Sequence, residues 1–235
     1  GSLFEGTAVA PYLPGGAPIA MDPAAARDFA VGLGSQALFP ANFLGVTFVW
    51  SAQEESYVPS EETGAPEDGI RVMYYAVDPF THQPENLDSP LGYLDLRDLS
   101  SASSDRLGVR IERTAGTAAT LADYYIDMSF TATQQQLGFQ QVARGYLSNG
   151  EGQLNFDLTA VATISETEIT YDQDYEISLA GTDARITYDG FVASDWEGGS
   201  QTLSIDALVR GSGTSVRFVV DADEESLAGE IYHGD

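Results

Sequence analysis

"LNFDLTAVATI", residues 154 to 164, alternates apolar and polar side chains along most of its length. Leu154, Phe156, Leu158, Ala160, Ala162 and Ile164 fall on one side, and Asn155, Asp157, Thr159 and Thr163 on the other. A period of two belongs to a β-strand, whose successive side chains point to opposite faces of a sheet. One apolar and one wet face is the pattern of antiparallel sheet. The same phase runs through "ADYYIDMSFTA" at 122–132, where Tyr124, Ile126, Met128 and Phe130 oppose Asp123, Tyr125, Asp127, Ser129 and Thr131.

Working outward, the period of two begins at Val46. It predicts strands over 46–50, 70–77, 91–97, 106–113, 121–132, 137–147, 153–164, 167–179, 183–193, 201–210, 214–221 and 227–232. "SNGEG" at 148–152 and "GSG" at 211–213 are hairpin turns. "YVPSEETGAPEDG" at 57–69 and "DPFTHQPENLDSP" at 78–90 are expected to be loops. Before Val46 the pattern differs. Residues 1–21 form an irregular lead-in rich in Gly, Pro and Ala. Asp22 can cap a helix with Pro23 in its first turn, which predicts one helix over 23–38 carrying Phe29 and Leu33. The expected fold is therefore all-β: an antiparallel meander of about ten to twelve strands, in a barrel, half-barrel or sandwich, with one N-terminal helix. Residues 22–235 make a single domain.

Composition narrows the partners. The chain has 235 residues, with 36 acidic against 10 basic and a net charge of −26; every basic residue is Arg. Such a surface repels nucleic acid, because phosphate binding needs cationic side chains to displace counterions. It repels anionic membrane surfaces for the same reason. It suits high salt, or it reflects a genome that encodes Arg in place of Lys; the salt dependence of the melting temperature separates the two. No Cys is present, which excludes disulfides, thiolate metal sites and Cys nucleophiles. No run approaches the ~20 apolar residues of a spanning helix, so no transmembrane segment is expected. The chain opens Gly-Ser without Met, which reads as a cloning remnant or a processed start, so the expectation is that a native targeting segment has been removed.

Chemical motifs are sparse. The only histidines are His82, in the Pro-rich loop, and His233, near the C-terminus. HExxH, GxSxG and Walker sequences are absent, and with no Lys there is no Schiff-base chemistry. The expectation is a protein without catalytic residues. Two carboxylate-rich stretches were weighed as ion sites. In "ITYDQDYEISL" at 169–179, Asp172, Asp174 and Glu176 alternate on one strand face, which spreads them into a solvated stripe. In "DADEES" at 221–226, Asp221, Asp223 and Glu225 have loop-like spacing, and Ca²⁺ is the ion such oxygens would take. The EF-hand pattern fails there, with Ser226 and Tyr232 where Gly and Glu belong. Among the aromatics, Trp50 alternates with Val46 and Phe48 as a core residue, while Trp196 in "SDWEGG" lies in a turn where its indole can meet a ligand.

Trp50, "YVPS" at 57–60, "TGAP" at 63–66, Gly69-Ile70-Arg71, "YAVDP" at 75–79 and "LGYLDL" at 91–96 resemble uncharacterised β-rich secreted or lipoprotein-type proteins of the bacterial envelope. The resemblance implies a secreted or cell-envelope location, periplasmic or outer-surface, and brings no activity with it. In architecture alone the pattern is also similar to lipoprotein carriers that hold an acyl chain between a helix and a curved sheet. These readings converge on a non-enzymatic binding or accessory protein of the envelope. Its hydrophobic ligand or lipid would lie against Tyr124, Ile126, Met128, Phe130, Phe156 and Leu158, with Trp196 at the rim. Two alternatives stand beside it: a structural or adhesive surface module using divalent ions or another envelope protein, and a glycan-active enzyme with a carboxylate pair.

Overall fold

The computed structural model describes residues 37–81, 83–133, 135–195, 198–223 and 226–234. Thirteen strands make one sheet: β1 (Val46–Ser51), β2 (Ser56–Ser60), β3 (Gly69–Tyr74), β4 (Gly92–Asp98), β5 (Ser104–Arg113), β6 (Ala119–Ala132), β7 (Gln136–Ser148), β8 (Gln153–Ser165), β9 (Glu168–Leu179), β10 (Arg185–Asp195), β11 (Gln201–Gly211), β12 (Thr214–Ala222) and β13 (Leu227–Gly234). From β3 to β13 each strand pairs antiparallel with the next. β1 then lies beside β3, parallel to it, and β2 closes the order as the outer strand.

The all-β meander is as the alternation predicts, with three corrections. The sheet ends on two free edges, β2 and β13, so neither a closed barrel nor a two-sheet sandwich forms among the described residues. β2 covers the first four residues of the stretch 57–69 expected to be a loop. Pro59 argues against a strand, but an edge strand tolerates a residue that cannot donate on its open side. The parallel β1–β3 pair was also not expected. Its crossover is made by β2 and the loop that follows, with no helix needed. The helix over 23–38 and the lead-in over 1–21 lie outside the described residues, apart from Ala37 and Leu38, which are not helical.

Turn chemistry fixes the register of the hairpins. Ser212 and Gly213 both take positive φ, 54° and 77°, as a two-residue hairpin of right-handed twist requires. Their N–H groups donate to Asp183 of the neighbouring turn, at 3.1 and 2.9 Å. Those two bonds hold the Asp183 carboxyl below the usual range.

The register places one phase of every strand on a common face. Following partners across the sheet, Phe48, Val72, Leu94, Ile111, Ala122, Leu147, Leu154 and Leu179 share that face, as do Leu96, Val109, Tyr124, Gly145, Phe156, Ile177, Ile186, Val209 and Val216. The face is mainly apolar, interrupted by Asp105, Gln141 and Gln173. Its opposite carries the charges. Each arginine of a series of ion pairs reaches a carboxylate on its own or a neighbouring strand there: Arg71–Asp95, Arg106–Asp127, Arg144–Asp157, Arg185–Glu176 and Arg217–Asp206.

Burial is uneven. Phe48, Ile70, Val109 and Ala122, all on the apolar face of β1 to β6, are buried, with Ala122 at 1% exposure. Residues ahead of β1 cover this end: the Phe43 ring meets the Phe48 ring edge-on at 5.5 Å, and the Leu38 N–H donates to Asp98 Oδ2 at 2.9 Å. Beyond β6 the apolar face is half-exposed throughout, and Ala193, on the other face, is the one buried apolar side chain among the described residues. Among the described residues every substantial contact between elements joins strands adjacent in the sheet, so no second layer of described strands lies over this part.

Candidate functional site

The six strand residues expected to meet a ligand are brought together. Tyr124, Ile126, Met128 and Phe130 of β6 and Phe156 and Leu158 of β8 point to the apolar face on either side of β7. Between them β7 supplies small residues: Gly145 lies opposite both Tyr124 and Phe156, and Ala143 opposite both Ile126 and Leu158. The missing side chain at Gly145 lets the Tyr124 and Phe156 rings meet over the strand, with centroids 5.7 Å apart and planes at 61°. A Cβ at Gly145 would sit 2.4 Å from Tyr124 Cβ and 2.3 Å from the Asp123 carbonyl oxygen, so no other residue fits. The result is a shallow trough along β7, walled by β6 and β8.

The aromatic lining continues past the residues named from sequence. Phe130 packs on Phe139 of β7 with centroids 5.1 Å apart. Tyr175 of β9 and Tyr188 of β10 stack at 5.5 Å and 21°. Burial pushes the Tyr175 hydroxyl up, and the neighbouring Tyr171 adds to it. Phe139 and Gly145 were missed because "GFQQVARG" shows no apolar alternation of its own; only its pairing with β6 and β8 reveals its phase. Tyr175 and Tyr188 were legible as strand residues, but nothing local shows that they stack.

The carboxylates are not gathered into an ion site. Asp172, Asp174 and Glu176 point to the charged face as a row, and Arg185 takes Glu176 at 2.6 Å. β10 places Asp189 opposite Asp174, and β11 places Asp206 opposite Asp189. Asp206 is committed to Arg217, whose guanidinium holds its carboxyl below the usual range. Asp221 lies on the charged face of β12 and accepts from Ser204 Oγ at 2.7 Å. Asp223 caps the next turn, accepting from the Ser226 N–H at 2.8 Å and the Ser226 hydroxyl at 3.0 Å. Strand and turn thus separate two residues that the sequence spacing groups. Glu225, Trp196 and His82 lie outside the described residues. Among the described residues no three His, Cys, Asp or Glu side chains converge as a metal site would require.

One carboxylate stands apart. Asp105 of β5 is buried on the apolar face beside Met128 of β6, and burial pushes its carboxyl up, helped by the charges of Asp98 and Asp127. For Asp98, burial pushes the carboxyl up, but bonds from Ser100 and from the Leu38 N–H more than offset it. With one oxygen tied to Ser100 and the other to Leu38, Asp98 is a turn-holding residue rather than half of an acid–base pair. No helix among the described residues is long and apolar enough to cross a membrane. Comparison with family models, with curated proteins and with solved structures finds no match to this chain.

Proposed function

We propose that this is a non-enzymatic binding protein whose uncovered apolar face takes a hydrophobic ligand with a long aliphatic chain. The observation that carries the reading is the extent of that face. Seven strands, β7 to β13, about 4.8 Å apart and each rising about 3.3 Å per residue, give an open apolar surface on the order of 1,000 Å². That is about twice the patch an ordinary soluble monomer leaves in water. An apolar chain suits the trough along β7, because its floor of Gly145 and Ala143 accepts a narrow ligand and its walls offer aromatic and branched surface. The charged face, with net −26 on the whole chain, keeps the loaded protein dispersed and turns it away from anionic surfaces. An envelope setting, where such ligands are carried between compartments, is part of the same proposal.

The test is native mass spectrometry of detergent-free protein after incubation with palmitate. A stoichiometric adduct that disappears in Leu158→Glu and persists in Asp157→Ala, its neighbour on the charged face, supports the reading. No adduct at millimolar palmitate, or one that both variants retain, sinks it.

A further inference from the structure

The three polar side chains that interrupt the apolar face do so on one line. Across the sheet, Asp105 of β5 lies opposite Met128, Met128 opposite Gln141, Gln141 opposite Ala160, Ala160 opposite Gln173, and Gln173 opposite Gly190 of β10. Such a cross-strand row joins the nearest side chains of one face. Elsewhere on this face β6 to β9 carry apolar residues and tyrosine, so Gln141 and Gln173 are the only amides on these four strands there.

Tyrosine hydroxyls turn into the same row. Gln173 Nε2 donates to Tyr171 Oη at 2.7 Å, and Tyr171 is hydrogen-bonded in turn to Tyr175. The phenols two residues before and two residues after Gln173 thus meet at its side chain. On β10 the Tyr188 ring lies over Gly190, where a Cβ would collide with its ring carbons and hydroxyl. The Gln141 amide has no protein hydrogen-bond partner among the described residues. From β7 to β10 the row spans three strand spacings, about 14 Å. Its amides and phenols are neutral and both donate and accept. The arginines of β6 to β10, Arg144 and Arg185, lie on the opposite face, committed to Asp157 and Glu176. An anionic head group placed here would lose hydration without gaining a counter-charge, on a chain of net −26. A neutral head with hydroxyl and ester oxygens meets matched partners instead.

We propose that this row selects the head of the ligand, and that the ligand is a neutral acyl ester of a polyol, of the monoacylglycerol kind. The inference rests on the reading of the trough as an aliphatic site. The trough along β7 crosses the row at Gln141. From there to Leu147 its floor is Ala143 and Gly145, over about 20 Å of strand, the length of an extended palmitoyl chain. The acyl chain lies on that floor between the walls of β6 and β8. The polyol lies over Ala160, whose small side chain leaves room between Gln141 and Gln173.

The test is a competition read by native mass spectrometry. The detergent-free chain is incubated with equimolar monopalmitoylglycerol and palmitate, which share one acyl chain and differ in the head. The monopalmitoylglycerol adduct should exceed the palmitate adduct about tenfold, the worth of one to two net hydrogen bonds. In the double variant Gln141→Leu with Gln173→Leu the preference should vanish while the palmitate adduct remains, which shows the trough and the fold intact. Tyr171→Phe, which removes one hydroxyl of the row and keeps its ring, should lower the preference without altering the packing. Gln140→Leu, on the opposite face of β7, should leave it unchanged. Palmitate bound as well as monopalmitoylglycerol, or a preference that survives both the double variant and Tyr171→Phe, overturns the head-group assignment and leaves the aliphatic trough standing. Binding of neither lipid overturns both.

Discussion

β1 to β6 and β7 to β13 belong to one sheet but are built to different standards of closure. In the first group Phe43 packs on Phe48, and Phe48, Ile70, Val109 and Ala122 are buried as in a protein interior. In the second the same face, with the same alternation, remains half in water, and Phe218 is 40% exposed. The ion pairs follow the division. Arg71 and Asp95 form a bidentate pair with bonds of 2.7 and 2.8 Å, the guanidinium lying 3.6 Å from the Tyr93 ring centre and Asp95 buried. Arg144 and Asp157 pair in the open. Alternation makes a strand, then, but burial has to come from something laid on top. One half of this sheet holds its own cover, and the other presents a surface.

That contrast can be broken or sharpened by denaturant unfolding of paired variants. Phe48→Ala should cost about 3–5 kcal/mol, the range for emptying a packed aromatic site, whereas Leu158→Ala on the open half should cost about 1–1.5 kcal/mol. Equal losses would mean that the open half is covered in solution. Arg71→Ala should cost about 2–3 kcal/mol, because it strands a buried carboxylate, against about 0.5 kcal/mol or less for Arg144→Ala. Thr47 tests the packed half in the opposite direction. It is 1% exposed and its hydroxyl has no hydrogen-bond partner among the described residues, so Thr47→Val should stabilise by about 1 kcal/mol. A loss of stability would reveal a partner for that hydroxyl.

The last effect is read as a slope. Asp105 has its carboxyl raised in the folded state, so folding is favoured while the group is protonated and loses ground as pH rises from the ordinary carboxylate range through the raised value. Asp105→Asn removes that loss. The variant should match the parent in acid, pull ahead as pH rises through that window, and hold a constant lead above it. A lead that is the same at every pH would mean that Asp105 ionises in the fold as it does in water.

Much of this architecture could be read from the chain. Strands β3 to β13, β7 apart, announce themselves because each has one apolar and one polar phase, and the turns between them carry Gly, or Ser at 212, where positive φ is needed. β2 was hidden because Pro59 signals a break unless the strand is known to be an edge, and edge status is a property of the whole sheet. The parallel β1–β3 pair was hidden for a related reason: it depends on where the chain lands after β2. For the candidate site, phase alone placed Tyr124, Ile126, Met128, Phe130, Phe156 and Leu158 on one face. Their meeting over Gly145 needed the register of β7, whose own sequence carries little alternation. Of the three carboxylates grouped by spacing, Asp221 lies on a strand and Asp223 in a turn, with different hydrogen-bond partners, and Glu225 lies outside the described residues.

Because, among the described residues, every substantial contact of the strands from β3 onward is with a sheet neighbour, this part of the molecule is nearly one-dimensional in its cooperativity. In such a stack each hairpin draws its stability from the one beside it, as repeat proteins do, and loss can start at an end without reaching the middle. β13, with one neighbour among the described strands and all of its residues exposed, is the natural place for that fraying to begin. Amide exchange should then fall off strand by strand from the β1–β6 end toward β13, as a gradient rather than a single global opening. A molecule of this kind has no sharp boundary between folded and unfolded, and its free end can lengthen or shorten without disturbing the packed one.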